Sequence, residues 1–331
     1  MGEIKVVENP IDIKSCFENA DPHLFQNWDI HPLSGNFGRA LHHAINNQLN
    51  NHKLCYFAVF DEAEVLLLAP ATCDGISVTM FGTPLTLGLR ASLSKKRQKK
   101  VFTATFDKLR TIATDQGAKT IRILGSNNGF SLGNIDTACI DQCARPKSHI
   151  HGIIDLRQKP DKIRAHLRSS FRSLVNWGQR HIQTIYINAE HPDKKEFNKY
   201  PALHAKVSGR TVYDNQYWEV LWNEIKCGRG ELTIGHLEDG TLATGTIVID
   251  GGEIAYYTSG AYERELFDKP LGHFSVYNSI LRAAARGMKT YDLGEILPKG
   301  SASDKEVQIG FFKKGFTSTF CLQTVWEIDV C

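Results

Sequence analysis

One segment, residues 252–316, constrains the fold more than any other part of the chain. Residues 253–259 are rich in aromatic and β-prone side chains and lie between glycines, which predicts a strand. Apolar residues then recur at helical spacing over residues 274–286, and residues 289–293 predict a second short strand. The predicted order is therefore strand, glycine-containing loop, helix and strand. Because backbone N–H groups at such a helix start attract anions, we expect the chemistry here.

Length and composition are those of a globular protein with about two domains. The chain has 331 residues, of which 42% are hydrophobic and 23% are charged, so it can build substantial cores. A net charge of +3 is too small to indicate a nucleic-acid-binding protein by itself. The sequence shows no leader pattern and no apolar run of membrane-spanning length, and its eight cysteines are scattered. We therefore expect a cytoplasmic protein with reduced thiols and no membrane span.

Residues 1–150 combine strand-like and helical segments. Strands are predicted at 54–60, 65–69 and 120–124, and an amphipathic helix follows the basic run SKKRQKK (94–100) to about residue 114. No aromatic residues interleave with these lysines, so the run is interpreted as a solvated helix start. The pattern breaks near residues 145–155, where we place the boundary between domains 1–150 and 151–331.

The second half begins with the most basic helical segment of the chain. Residues 161–180 predict a single helix, and a meander of three strands follows later, joined by DG and GG turns. These strands are predicted at 231–237, 243–249 and 253–259. Towards the end of the chain, residues 311–316 are interpreted as extended and residues 319–328 as a long strand. The whole pattern predicts an α+β protein.

Four strings in the second half resemble the Fem-type family of the GNAT superfamily. They are LRSSFRSLVNWGQR (167–180), GELTIGHLEDGTLATGTIVIDGGEIAYYTSGAYE (230–263), LRAAARGMKTYDLGE (281–295) and IGFFKKGF (309–316). Fem-type proteins are peptidoglycan bridge-forming aminoacyltransferases and their relatives, built from two GNAT-like domains. The resemblance implies two GNAT-like domains, each a mixed, mostly antiparallel sheet flanked by helices. Residues 1–150 would form a degenerate GNAT-like domain and residues 151–331 the acyltransferase domain.

The resemblance also implies transfer of an acyl or aminoacyl group to an amine. The donor would be a co-substrate, with no bound cofactor: aminoacyl-tRNA in the bridge enzymes, and other activated donors in some relatives. No helical hairpin arm of the kind that longer bridge enzymes carry for tRNA is visible, so charged tRNA and acyl-CoA stay open as donors. GNAT enzymes that use CoA carry a loop Q/R-x-x-G-x-G/A. At the matching positions 269–274 Gly272 is kept, but the last small residue is replaced by Phe274, which disfavours ordinary CoA binding.

A phenylalanine–lysine pair near the end of the chain is the first candidate for catalysis. Phe312 and Lys313 match the Fem-type pair, and the resemblance implies that Lys313 stabilises negative charge on the reacting carbonyl or a nearby phosphate. Lys314 is interpreted as a surface residue. Asp292 and Glu295 lie at the end of the short strand, where either carboxylate could accept a proton from the acceptor amine. Asp292 could instead cap the turn that follows it.

Further candidates for substrate binding lie in the basic segment and in the loop. Arg164, Arg168 and Arg172 recur at i, i+4 and i+8 and would share one face of the predicted helix. That face could bind phosphates or simply be solvated. The remaining candidate pocket residues are Tyr257, Gly272 and His273.

No metal site is expected. Cys139, Cys143, His149 and His151 lie close in sequence, but their spacing is not a standard zinc pattern.

These features predict an N-acyl- or N-aminoacyltransferase in which a neutral amine attacks the donor carbonyl directly, without an acyl-enzyme. One alternative is a CoA-dependent N-acetyl- or N-acyltransferase. The other is a non-catalytic GNAT-like module that keeps the cleft for binding. The expected partners are an amine-bearing acceptor and an activated donor, charged tRNA among the possibilities. The sequence specifies neither the acceptor nor an oligomeric state.

Overall fold

The structure is a computed structural model that describes residues 4–8, 17, 25–26, 52–126, 131–300 and 302–330. The chain divides into two compact units, Met1–His149 with Leu322–Cys331, and Ile150–Cys321. The last ten residues pack with the first unit because the closing strand pairs there, from Val325 opposite Leu124 to Asp329 opposite Thr120. Among the described residues, no helix has the length and apolar character that crossing a bilayer requires.

The first unit contains two groups of strands and a long helix. Its elements are β1 Ile4–Val7, β2 Phe25–Gln26, β3 Lys53–Leu54, β4 Phe57–Asp61, β5 Glu64–Ala69, β6 Thr72–Cys73, β7 Ser77–Thr79, β8 Gly88–Arg90, α1 Lys95–Gln116, β9 Thr120–Leu124, α2 Asn134–Asp141 and the closing strand β16 Thr319–Asp329. One group of strands has the order β1-β4-β5-β8-β2, and the other has the order β16-β9-β7-β6-β3.

Helix α1 begins in the basic run, as predicted. The Ser94 hydroxyl caps it by accepting the Arg97 N–H, and Gly117 ends it with a φ of 70°, a conformation that suits glycine. Phe106 and Leu109 on its apolar face are buried in the main core of this unit. The core therefore forms between α1 and the strands.

The second unit is built on one mixed sheet. Its elements are β10 Arg145–Asp155, α3 Pro160–Ala165, α4 Ser169–His181, β11 Gln183–Ile187, α5 Lys194–Phe197, α6 Lys199–Ser208, α7 Asn215–Lys226, β12 Gly230–His236, β13 Leu242–Gly251, β14 Ile254–Tyr262, α8 Leu271–Ala285, β15 Thr290–Glu295 and α9 Asp304–Lys313. The strand order is β11-β12-β13-β14-β15-β10. All neighbours are antiparallel except β14 and β15, which are parallel. The predicted mixed, mostly antiparallel sheet with flanking helices is confirmed.

The sheet splits between β14 and β15. The two strands pair from Ile254 opposite Thr290 to Tyr256 opposite Asp292 and no further. Beyond that point β14 continues along β13, whereas β15 continues along β10. The last residues of β15 therefore lie at the edge of a split in the sheet.

Helix α8 packs on strands β12 to β15 and on α4. Val276 and Ile280 of α8 share a core with Tyr291 and Leu293 of β15. The Tyr291 hydroxyl also lies 2.8 Å from the Ser279 hydroxyl. These contacts hold β15 against α8 and so fix the position at which the sheet splits.

Two predicted elements differ from the structure. Residues 161–180 form two helices, because α3 ends at Ala165 and the Arg168 N–H then donates to the Gly315 carbonyl at 2.9 Å before α4 begins. The interpretation of residues 311–316 as extended is also wrong. Helix α9 runs to Lys313 and starts with a capping box between Ser303 and Glu306. The hydrogen bond from residue 168 to residue 315 is long-range, so local periodicity could not locate the break.

Candidate active site

The candidate site lies at the carboxyl end of β15, beside the end of α9. It contains three predicted residues, Lys313, Asp292 and Glu295, and one residue that the sequence did not single out for catalysis, His151. The structure therefore brings the three predicted catalytic residues together. Their catalytic roles stay predictions.

Lys313 is the last residue of α9, and its ammonium group points at the end of β15. Its Nζ donates to the backbone oxygen of Glu295 at 3.0 Å. A Cβ added to Gly294 would lie 3.0 Å from the same Nζ, and Gly294 has a φ of 80°, so this turn favours glycine. Burial lowers the pKa of Lys313, whereas the charges of Asp292 and Glu295 act to raise it. The result is a partly desolvated cation held beside two carboxylates.

Asp292 is almost completely buried and accepts hydrogen bonds from two directions. Its side chain is 5% exposed, and its Oδ1 accepts the Gly294 N–H at 2.6 Å. Both carboxylate oxygens also lie within hydrogen-bond distance of His151 Nδ1, at 3.0 and 3.1 Å. Asp292 therefore caps the turn, as the structural alternative proposed, and it also holds a histidine.

A bulge in β10 brings His151 to Asp292. His151 is opposite Glu295 and Ile153 is opposite Asp292, so the register shifts between them at Gly152. A Cβ on Gly152 would lie 3.1 Å from Ile296 Cδ1, so the strand approaches its neighbour closely here. His151 and Asp292 are 141 residues apart along the chain. Only the pairing of β10 with β15 reveals their contact, and no local sequence signal does so.

Cys321 lies in the same electrostatic neighbourhood. Partial burial raises the pKa of its thiol, and the negative charge of Asp292 raises it further. The thiol is therefore kept in its protonated, weakly nucleophilic form.

An aromatic cluster supports the end of α9. The Phe312 ring centroid lies 5.0 Å from that of Phe316, 5.3 Å from that of His273 and 5.9 Å from that of Phe171. A Cβ on Gly315 would lie 1.9 Å from Phe171 Cε2, so only glycine allows this approach. These contacts position Phe312 as a packing residue beside Lys313.

The other predicted pocket residues adjoin this cluster. A Cβ on Gly272 would lie 3.1 Å from Phe312 Cζ. Burial lowers the pKa of His273, which also lies close to the Pro270 carbonyl. The Tyr257 hydroxyl lies 3.0 Å from that of Tyr262, and burial raises the pKa of Tyr257 well above its ordinary value. The aromatic side chains pack against one another on this side of the sheet.

Phe274 of α8 packs against α4. A Cβ on Gly178 of α4 would lie 2.3 Å from the Phe274 Cβ, so the glycine makes room for the phenylalanine. The residue that replaces a small residue of the CoA loop therefore packs α8 onto α4.

The three candidate arginines do not form one helix face. Arg164 lies in α3 and bonds to Asn176, and Arg172 in α4 donates to the Ala165 carbonyl at 2.8 Å. Arg168 precedes α4, donates to the Phe311 carbonyl at 3.1 Å, and stacks 4.0 Å from the Phe311 ring centroid. The prediction of a single ridge is wrong because the helix is broken. Arg168 lies near the end of α9, whereas the other two contact α3 and α4.

The cysteine and histidine grouping near residue 143 is not assembled into a site. Cys139 is buried, and burial, followed by Asp136, raises its pKa. His151 instead contacts Asp292. Within the described ranges, no three His, Cys, Asp or Glu side chains lie close enough to hold a metal ion.

Comparison with known proteins identifies the domain. Residues 162–305 match the acetyltransferase (GNAT) domain family, whereas no curated protein matches the sequence. The crystal structure of FemX is 15% identical, with a TM-score of 0.63 over 98% of this chain and 97% of that one. A tandem GNAT protein from the clavulanic acid biosynthesis pathway is 13% identical, with a TM-score of 0.58 over 99% of both chains. L-PGS from Bacillus licheniformis is 10% identical, with a TM-score of 0.56 over 87% of this chain and 90% of that one.

These matches confirm the resemblance to the GNAT superfamily and, in fold, to Fem-type proteins. Residues 162–305 thus match the acetyltransferase (GNAT) domain family, and the chain has a fold similar to those of FemX and a tandem GNAT protein over nearly its whole length.

Proposed function

We propose that this protein transfers an acyl or aminoacyl group from an activated donor to an amine by direct attack. The observation that carries the proposal is the position of Lys313. Its ammonium group lies at the carboxyl end of β15, beside Gly294 and the Glu295 carbonyl. The split between β14 and β15 opens at this point. A donor carbonyl at this edge would meet a fixed positive charge.

Lys313 would stabilise the oxyanion that forms when the amine attacks the carbonyl carbon. Its side chain is held by the Glu295 carbonyl and by a helix end that the aromatic cluster packs. A preformed charge of this kind needs little reorganisation during the reaction, which is why it lowers the barrier. The charges of Asp292 and Glu295 favour the ammonium form and so oppose the lowering of the Lys313 pKa that burial causes.

The state of Cys321 supports direct attack over an acyl-enzyme. Its thiol is a nucleophilic group near Asp292, and burial, followed by the charge of Asp292, raises its pKa. A covalent route through this cysteine would need the thiolate, which the neighbouring carboxylate disfavours.

Two observations bear on the donor. Phe274, in the first turn of α8, occupies the position of the small residue that would let backbone amides wrap a pyrophosphate, and it packs against Gly178. This favours aminoacyl-tRNA or another activated donor over acyl-CoA. The tandem GNAT protein with a similar fold is described in a form without AcCoA, which makes acyl-CoA the second donor to test.

We propose residues 1–150 as a degenerate GNAT-like domain, residues 151–331 as the acyltransferase domain and the cytoplasm as the location. Arg164, Arg168 and Arg172 remain proposed phosphate contacts, now as separate positions. A non-catalytic binding module is the competing function.

The proposal is tested by measuring donor loss. Purified protein is incubated with charged tRNA or with acetyl-CoA, each with and without a panel of primary amines, and deacylated donor and N-acylated amine are quantified. We expect amine-dependent loss of one donor. Binding of a donor without any loss, in all combinations, would instead support the binding module.

A further inference from the structure

We propose that His151 is the catalytic base that removes a proton from the ammonium form of the acceptor, and that Asp292 positions its imidazole. This inference rests on the proposed acyl transfer and deepens it, because it specifies an acceptor that arrives as a protonated primary amine. It also assigns the role of base to a residue on a different strand from Asp292 and Glu295, the two carboxylates that the sequence offered for it.

The hydrogen bonds define which nitrogen of His151 can accept a proton. Nδ1 lies 3.0 and 3.1 Å from the two oxygens of Asp292. A carboxylate can only accept, so Nδ1 carries the hydrogen and donates it. The lone pair of the neutral ring is then on Nε2. Among the residues that the structure describes, Nε2 has no hydrogen-bond partner.

Asp292 is poorly suited to act as the base itself. Its side chain is 5% exposed, against 19% for His151, and its carboxylate already accepts the Gly294 N–H at 2.6 Å. Of the two residues, the histidine is the one that a substrate can reach. A buried carboxylate behind an imidazole selects its tautomer and stabilises the imidazolium that forms.

Charged groups of both signs lie near His151. Asp292 and Glu295 are on β15, which pairs with β10, and Lys313 of α9 donates to the Glu295 carbonyl. The protonated thiol of Cys321 on β16 adds no charge. Lys313, the residue proposed to stabilise the oxyanion, also lies near the Asp292 carboxylate that holds His151. The proposed base and the proposed oxyanion-stabilising group are therefore neighbours.

In the proposed step one proton passes to the histidine and another to the leaving group. The ammonium R–NH₃⁺ gives one proton to His151 Nε2, and the neutral amine attacks the donor carbonyl carbon, forming the C–N bond. Collapse breaks the bond from this carbon to the donor oxygen or sulfur, which leaves with the electron pair and takes the second proton of the nitrogen. The imidazolium then releases its proton to water.

The tautomer can be measured without any substrate. Protein labelled with ¹⁵N-histidine is examined by NMR near neutral pH, and His151→Gln identifies the resonance. We expect a protonated Nδ1 and an unprotonated Nε2, and we expect Asp292→Asn to disturb this state. A ring with its hydrogen on Nε2 would overturn the proposal.

Kinetics with two acceptors separates a base from a structural role. An alkylamine is an ammonium ion near neutral pH, whereas hydroxylamine is mostly uncharged and needs no deprotonation before attack. We expect His151→Gln to lower turnover of the alkylamine by about 10²–10⁴-fold, and that of hydroxylamine by less than about tenfold, by the same reasoning. The control is His166→Gln, because His166 is exposed and bonds to Ser318; it should leave both rates unchanged.

The outcomes are distinguishable. If the wild-type protein transfers to both acceptors and His151→Gln loses both equally, the base assignment is wrong while the acyltransferase function stands. If the wild-type protein transfers to neither acceptor from charged tRNA or acetyl-CoA, that result contradicts both the proposed function and the assignment of His151 as its base.

Discussion

Lys313 and Glu295 join the end of α9 to the end of β15 through a hydrogen bond from the ammonium nitrogen to the backbone oxygen at 3.0 Å. The acceptor in this bond is the backbone carbonyl of Glu295. The bond anchors the lysine at a strand end that is itself fixed by the Asp292 turn. The ammonium position is therefore set by backbone rather than by a mobile side chain.

The first prediction follows from that anchoring. Lys313→Met should lower kcat by about 10²–10³-fold, the loss typical of removing one oxyanion donor. Donor binding should change little, since the charge is needed most in the transition state. Rates are measured with the donor identified by the donor-loss assay. Lys313→Arg separates charge from geometry, because the guanidinium keeps the charge but differs in shape and reach.

Lys314 supplies the matched control. It follows Lys313 at the end of the helix and is exposed, whereas Lys313 is partly buried. Lys314→Met should therefore keep nearly full activity. Loss of activity in Lys314→Met combined with a fully active Lys313→Met would show that the two roles are reversed.

The second prediction concerns stability and pH. The pKa of Lys313 is lowered below its ordinary value of 10.5 by burial. Between the lowered pKa and the ordinary one, the unfolded chain binds more protons than the folded chain, so the free energy of unfolding rises with pH in that window. The wild-type protein should thus gain stability relative to Lys313→Met as pH rises towards 10.5. Chemical denaturation of both proteins at several pH values measures the difference, and a falling difference would contradict the assigned direction.

The local part of the site was predictable from sequence, and the long-range part was not. The strands β14 and β15 and the helix α8 follow from side-chain periodicity because each pattern lies within one short segment. Lys313 was found through resemblance to a Fem-type string. His151 was not recognised, because its partner lies 141 residues away and only strand pairing brings them together.

The basic segment is a second case in which a long-range contact overrides a local sequence pattern. Arg164, Arg168 and Arg172 fit a helical period in sequence, yet the helix breaks where the Arg168 N–H bonds to Gly315. Tertiary hydrogen bonding outweighs local helix propensity at this position. Conversely, the departure of Phe274 from the CoA-loop pattern is visible in the sequence. The structure explains it, because Phe274 packs against Gly178.

The third prediction tests that contact. Replacing a helical glycine with alanine ordinarily stabilises by about 0.5–1 kcal/mol, but Gly178→Ala places a Cβ 2.3 Å from the Phe274 Cβ. We expect a lower melting temperature. Phe274→Ala should cost about 1–3 kcal/mol, a reduced value for a half-buried phenylalanine. Because the two residues touch, the double variant should lose less than the sum of the two single losses.

Gly310 is the control for this series. It lies in α9, and an added Cβ would meet its nearest neighbour, Ile296 Cγ2, at an ordinary 3.4 Å. Gly310→Ala should be neutral or stabilising. Additive losses at Gly178 and Phe274 would mean that the helices do not depend on this contact.

The last prediction concerns the ion pairs that hold the far end of α8. Glu231 of β12 is 1% exposed in its side chain, and its Oε2 lies 2.6 Å from Arg282 Nη2. It also accepts from Asn188 at 2.9 Å. Arg286 bonds to Asp250 at 2.8 Å and lies 3.4 Å from Glu231. The Glu231 carboxylate thus pairs with Arg282 of α8 and with Arg286, which follows the helix, and it is shielded from water.

Removing one partner of a buried pair leaves the other charge uncompensated, so Glu231→Gln should cost about 3 kcal/mol of unfolding free energy. Glu253→Gln is the control, because Glu253 and its partner Lys289 are 65% and 52% exposed, and an exposed pair contributes about 0–1 kcal/mol. Replacing Glu231 and Arg282 together with methionine should recover much of the loss, since well-packed apolar residues can substitute for a buried pair. Urea denaturation measures all three. Equal costs for Glu231→Gln and Glu253→Gln would show that α8 is held by its apolar face alone.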